Sequence, residues 1–315
     1  TTITSVDDEI SGSLVLPNNG NVVKIGTGAF NWCEVLTSIK IPTAITSIGE
    51  RAFANCTNLT SIDISDNIER IYDDAFLNCS SLNYNEKDGI KYLGNATNLY
   101  AIVLEANTSL VSVTLPESVV HVYKGAFNGC NRLTNITMPF VGMSKYTITN
   151  GILGHMFGTD NHTLHADYVP SSLKIVNLTS ATLISSYAFD DCTNLTSITI
   201  PESVTTIEES AFDGCLKLES VDLSNCVVSV SLSSTLGMFT EQKTPKLKTI
   251  ILNNCSYTTV NNILPTLPTL TSGGEIKAFN TPSAGSINTS GATSKKWTVN
   301  STKVIAEYYV TSGST

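Results

Sequence analysis

The stretch LTSITIPESVTTIEESAFDGCLK, Leu195 to Lys217, decides the fold. Leu195, Ile198 and Ile200 alternate with Ser197 and Thr199, the period-two pattern of a strand with one buried face. Pro201 ends that strand, because it has no N–H to give to a ladder. Val204 and Ile207 follow three apart, then Ala211 and Phe212, and the stretch Glu208 to Phe212 predicts a short helical turn. Cys215 closes the unit before Leu218 opens the next. A unit this short cannot bury its apolar side alone. Stacked on copies of itself at about 4.8 Å per strand, it makes one continuous core.

The copies are present. Ala-Phe-x-x-Cys recurs at Ala29–Cys33, Ala52–Cys56, Ala75–Cys79, Ala126–Cys130, Ala188–Cys192 and Ala211–Cys215. Cys33, Cys56 and Cys79 are 23 residues apart, as are Cys192 and Cys215. Leucines open units at 36, 59, 82, 110, 133, 173, 195, 218, 247 and 270, and a degenerate unit begins near Ser11. About ten coils of about 23 residues predict a rod on the order of 50 Å long. The composition agrees: of 315 residues only 14% are charged, 41% are hydrophobic, and Thr, Ser and Asn fill the rest. Eighteen Lys and Arg against 27 Asp and Glu give a net charge of −9, with the basic residues scattered singly, which argues against nucleic acid. No run approaches 18 apolar residues, so no membrane-spanning helix is expected.

The pattern LTSIxIPxxVTSIxxxAFxxCxxL resembles the BspA-type leucine-rich repeat of bacterial surface proteins over about residues 11–270. Two irregular stretches, YNEKDGIKYLGN (Tyr84–Asn95) and MPFVGMSKY…HMFGTD…DYVPSSLK (Met138–Lys174), are similar to variants of the same family, chiefly those of gut Firmicutes. The resemblance implies secretion, surface display, and binding or adhesion rather than catalysis. It supplies no ligand. The expected architecture is an α/β solenoid, a right-handed leucine-rich-repeat superhelix with one parallel sheet. Residues 1–10 form an N-terminal segment, 11–270 the solenoid, and 271–315 a C-terminal cap or assembly segment.

Departures from the period point to function. The unit from Leu82 carries five extra residues, that from Leu133 seventeen, and that from Leu218 six. Extra residues are expected to leave the stack as loops on one face, where functional variation concentrates. The longest insert concentrates Phe140, Tyr146, His155, Phe157, His162, His165 and Tyr168, and is the expected partner-contacting element. The competing reading is a lid, with Phe157 and Tyr168 packed on the coil edge. A second candidate surface is the ribbon of outward strand positions, including Thr37, Lys40, Thr60, Asp63, Thr134, Thr199 and Asp222. Such a low-charge hydroxyl face suits a protein or glycan partner, although Thr also suits strands intrinsically.

Reactive chemistry is not expected. The cysteines form no C-x-x-C, and six of the eight recur at one coil position, as small buried thiols would. Cys226 and Cys255 each lie eight residues after their leucine and are the one pair placed for a disulfide. His155, His162 and His165 with Asp160 and Asp167 have ligand chemistry but match no metal spacing, so no metal, cofactor or catalytic residue is expected. No leader precedes Thr1, so a signal peptide would have been removed or omitted. The reading is a non-catalytic extracellular or cell-surface binding module. The alternative is a structural subunit associating through its solenoid ends into a filament or a surface or phage appendage.

Overall fold

A computed structural model describes residues 2–6, 9–18, 20–146, 151–208, 210–224, 229–230, 244, 246–252, 274–277 and 297–300. Each clean coil holds two short strands. The first is the leucine-opened one, such as Ser197–Thr199, and the second follows the Ile-Pro step, such as Thr206–Ile207. Like strands of successive coils pair parallel, with Ser197 opposite Ser220, Ile198 opposite Val221 and Thr199 opposite Asp222. One register step of 23 residues therefore places every buried aliphatic over its counterpart. Leu195, Ile198, Ile200, Val204 and Ile207 are all buried, as the alternation predicts.

The Ala-Phe-x-x-Cys corner is a chain of turns, not the helical turn expected for Glu208 to Phe212. The reason lies in the backbone. The residue before each Ala has positive φ (Gly28, Arg51, Asp74, Gly125, Tyr187, Ser210), and so has the residue before each Cys (Trp32, Asn55, Asn78, Gly129, Asp191, Gly214). Two left-handed residues four apart cannot continue an α-helix. Among the described residues α-helix is confined to His165–Tyr168; the expected solenoid of about 23-residue coils is present, with its coils built of strands and turns.

The corner is held by its side chains. Phenylalanine rings stack from coil to coil, Phe30 on Phe53 at 5.0 Å and Phe189 on Phe212 at 5.6 Å, all fully buried. The Phe30, Phe53 and Phe189 N–H groups each donate to the Ala carbonyl of the next coil, as Phe53 does to Ala75 at 2.8 Å. The thiols of Cys56, Cys79 and Cys215 donate to the carbonyls of Phe30, Phe53 and Phe189 at 3.0–3.1 Å. The cysteine is thus a core filler that also serves a buried carbonyl. The six described cysteines are buried and none is in a disulfide; Cys226 and Cys255 lie outside the described residues.

The single uninterrupted sheet is not found. Among the described residues the main ladder runs Gly12–Val15, Leu36–Lys40 and Ser61–Asp63, stops, and resumes at Ser112–Thr114 for eight strands, the last of them Trp297–Asn300. Between them Asn85–Lys87, Ile90–Leu93 and Ile102–Ala106 pair antiparallel. The five extra residues of this coil therefore do not leave the stack as a loop. Asp88 and Gly89, with φ of 53° and 77°, reverse the chain into a hairpin. The apolar interior divides at this coil into two clusters, with Tyr123 packed against both. At the other end Gly274–Lys277 pairs with Thr249–Ile251 and Trp297–Asn300 pairs with Gly274–Lys277, so the ladder continues past residue 270.

Candidate functional site

The hydroxyl ribbon is partly spent on the fold. Thr60, Thr134 and Thr196 each donate a hydroxyl to a main-chain carbonyl of the preceding coil, those of Thr37, Val111 and Lys174, at 2.9–3.1 Å. Lys40 and Asp63 form an ion pair with each other at 2.9 Å. Thr37, Lys40 and Thr60 are exposed, and Asp63, Thr134, Thr199 and Asp222 half-buried. The ribbon is accessible, but its hydroxyls are in large part coil-to-coil staples.

The long insert is built into the stack. Its 3-10 helix Leu153–Phe157 brings Phe157 against Phe127, with ring centroids 6.2 Å apart. Phe127 N–H donates to the Met156 carbonyl at 2.8 Å, so Met156-Phe157 occupies the Ala-Phe place of a normal coil. The bond onward to Ala188 is made by Leu153 instead. Four of the seven expected contact residues are consequently unavailable to a partner: Phe140, His155, Phe157 and His165 are buried. The lid reading holds for Phe157. Tyr146 and Tyr168 remain on the surface, 51% and 46% exposed, and His162 is half-buried, stacked on Tyr187 at 4.0 Å.

The buried histidines are structural. His165 Nδ1 donates to the Asp190 carbonyl and its Nε2 accepts from Gly154 N–H, which fixes one neutral tautomer. Burial pulls His165 down to about 4. His155 sits between the Asp160 carboxylate, 2.6 Å from Nδ1, and the Val122 carbonyl, 3.1 Å from Nε2. Its hydrogen bond, with help from Lys124, holds Asp160 at about 2. His121 is fully buried with no hydrogen-bond partner at either nitrogen, and burial pulls it down to about 3. Cys192 Sγ lies 3.8 Å from His165 Nδ1, superficially a nucleophile and base. Burial raises that thiol, and the His165 Nδ1 that faces it already carries the proton donated to the Asp190 carbonyl, so the imidazole cannot take the thiol's proton there. No group of three metal-ligating side chains occurs among the described residues.

One charged cleft was missed by the sequence reading. Lys124 Nζ bridges Asp73 at 3.1 Å and Asp160 at 2.9 Å, tying a regular coil to the insert. Beside this bridge opens a cavity of about 200 Å³ lined by Glu50, Arg70, Ile71, Tyr72, Asp73, Met143, His155 and Asp160. Tyr72 is 43% exposed, and its hydroxyl accepts from Arg70 at 3.1 Å. Its residues come from 50 to 160, so no local motif marks it.

The description "BspA type leucine rich repeat region" matches the chain in six copies, over residues 11–105, 103–150 and 168–263. This chain belongs to that family. Several solved leucine-rich-repeat proteins are similar to this BspA-type chain. A leucine-rich cell surface protein from Faecalibacterium prausnitzii shares 22% identity over 87% of this chain and 79% of its own, with a TM-score of 0.27. A Bacteroides ovatus leucine-rich repeat protein shares 21% over 88% and 75%, also with a TM-score of 0.27. The Treponema pallidum (T. pallidum) leucine-rich repeat protein shares 21% over 72% and 81%, again at 0.27. No curated protein matches the chain. A BspA-type repeat is a binding-surface scaffold and generally non-catalytic. Among the described residues no helix is long and apolar enough to cross a membrane.

Proposed function

We propose that this BspA-type solenoid is a non-catalytic, surface-displayed adhesion module that presents a rigid face to a protein or glycan partner. The observation that carries the reading is the insert fixed in the stack. Its buried half, Phe157, His155 and His165, locks it to the coils on either side, while Tyr146, His162 and Tyr168 stay accessible. Side chains held in this way lose little freedom on binding, which leaves more of the contact energy as affinity. Tyrosine supplies contact area at low entropy cost. An array of host-surface proteins and glycans, probed with the intact chain and with Tyr146→Ala/Tyr168→Ala, tests this. Saturable binding weakened at least tenfold by the double variant supports it. Absence of any saturable binding overturns it.

A second reading, end-to-end assembly into a filament or surface appendage, draws on the ladder that continues to Trp297–Asn300. An edge strand offers main-chain groups to another chain, and Trp297–Asn300 is the last described strand of this ladder. Light scattering that finds polymer at low concentration favours this reading over the first.

A further inference from the structure

We infer that the cleft at Tyr72 is a binding site for one uncharged pyranose ring of a glycan. The inference rests on the binding-module reading and deepens it by naming a place and a ligand class.

Size comes first. At about 200 Å³ the cavity is smaller than the about 300–1,000 Å³ typical of drug-sized ligands, and it suits a single ring. The walls come next. Tyr72 presents a half-exposed ring, with Ile71 and Met143 adding apolar surface. One face of a pyranose is a patch of C–H groups that lies flat on such a ring. The Tyr72 ring is also fixed: Arg70 bonds its hydroxyl at 3.1 Å and holds its guanidinium carbon 5.6 Å from the ring centre. A ring held before the ligand arrives costs little to order.

The polar lining selects the charge class. Three carboxylates, Glu50, Asp73 and Asp160, share the cleft with Arg70, and Lys124 is paired with two of them, Asp73 and Asp160. An anionic sugar or a phosphate meets three like charges. A cationic ligand meets Arg70 and Lys124, the second already paired with both Asp73 and Asp160. A neutral polyol avoids both penalties, because every hydroxyl donates and accepts and so fits a lining that offers both acceptors and donors. Several of these groups are pre-set. Asp160 is pinned by His155 and Lys124, while Asp73 bonds Lys124 through Oδ2 and is 56% exposed. Charge-assisted hydrogen bonds of this kind are the strong ones.

The test is ligand-observed saturation-transfer NMR on the whole chain. The probes are the methyl glycosides of glucose, galactose, mannose and N-acetylglucosamine at millimolar concentration. N-acetylneuraminic acid and lysine methyl ester serve as charged comparators. Transfer to the C–H protons of at least one neutral glycoside is expected, with none to either charged probe. Tyr72→Ala should weaken that binding at least tenfold, Tyr72→Phe should retain it, and Glu50→Gln should weaken it several-fold. Both side chains are exposed, so melting temperatures should stay within a few degrees, and circular dichroism checks this. No transfer to any neutral glycoside, preference for a charged probe, or indifference to Tyr72→Ala overturns the inference. If the intact chain nevertheless binds a protein on the array, only the saccharide site is lost. If it binds nothing, the adhesion reading falls as well.

Discussion

Acidification should loosen this protein around its insert, through two imidazoles that the fold buries neutral. An exposed histidine titrates near about 6.5. In the folded chain His121 sits at about 3 and His165 at about 4, both lowered by burial. Their folded values lie below the unfolded value, so the unfolded chain takes up protons first as pH falls. The stability they confer is complete above about pH 6.5 and is lost progressively below it. At pH 5 the unfolded form gains about 2 kcal/mol per histidine, about 4 kcal/mol for the pair, while both remain neutral in the fold. Asp160, at about 2, titrates below this window and adds nothing to the change. The assay is urea denaturation followed by circular dichroism at pH 7.5, 6 and 5. His121→Leu separates the two contributions. It removes two buried nitrogens that have no partner, each such group costing about 1–3 kcal/mol, so it should not destabilise the protein at pH 7.5. It should also remove about half of the acid loss, about 2 kcal/mol at pH 5. Stability that is flat from pH 7.5 to 5, or an acid loss unchanged by His121→Leu, would mean that these imidazoles are not buried neutral in the fold.

Further outcomes follow from packing. Phe212→Ala removes a fully buried ring from the Phe189 stack and should cost about 3–5 kcal/mol by denaturant titration; a loss below about 1 kcal/mol contradicts its place in the core. Gly28 and Gly214 both have positive φ, but a methyl at Gly28 finds room while one at Gly214 meets Asp191 Oδ1 and the Asp191 main chain. Gly28→Ala should therefore cost about 1–2 kcal/mol and Gly214→Ala clearly more, as read from melting temperatures. Replacing His155–Ala166 by a Gly/Ser linker deletes Phe157 from the core and should prevent cooperative unfolding, where a dispensable loop would leave the melt unchanged. The six buried thiols should resist alkylation in the native protein and react on unfolding.

The sequence showed the repeat plainly, because stacking ties every coil to one period. Leu195, Ile198 and Phe212 are buried where that period puts them. What it hid follows from physics that periodicity does not carry. The corners turn through residues with positive φ, and Arg51, Trp32 and Tyr187 occupy those positions although their side chains give no sign of it. The hairpin at Asp88-Gly89 had a signal, since Asp-Gly between strand-like runs favours that turn. Counting the same residues as surplus to a 23-residue coil obscured it. In the insert, aromatic and histidine content suggested exposure. Yet an insert within a stacked core must also fill a coil's place, and Phe157 and His165 do so. The Tyr72 cleft joins residues more than 100 positions apart, which only the three-dimensional stack brings together.

The long insert is a coil of the stack and not a loop resting on it. Amide hydrogen exchange measures this residue by residue. The Phe127 and Leu153 amides donate to Met156 and Ala188 across the insert's two faces, as Phe53 and Phe189 donate to Ala75 and Ala211 in regular coils. All four amides should show comparable protection. Exchange of Phe127 and Leu153 within seconds, with Phe53 and Phe189 still protected after hours, would contradict it.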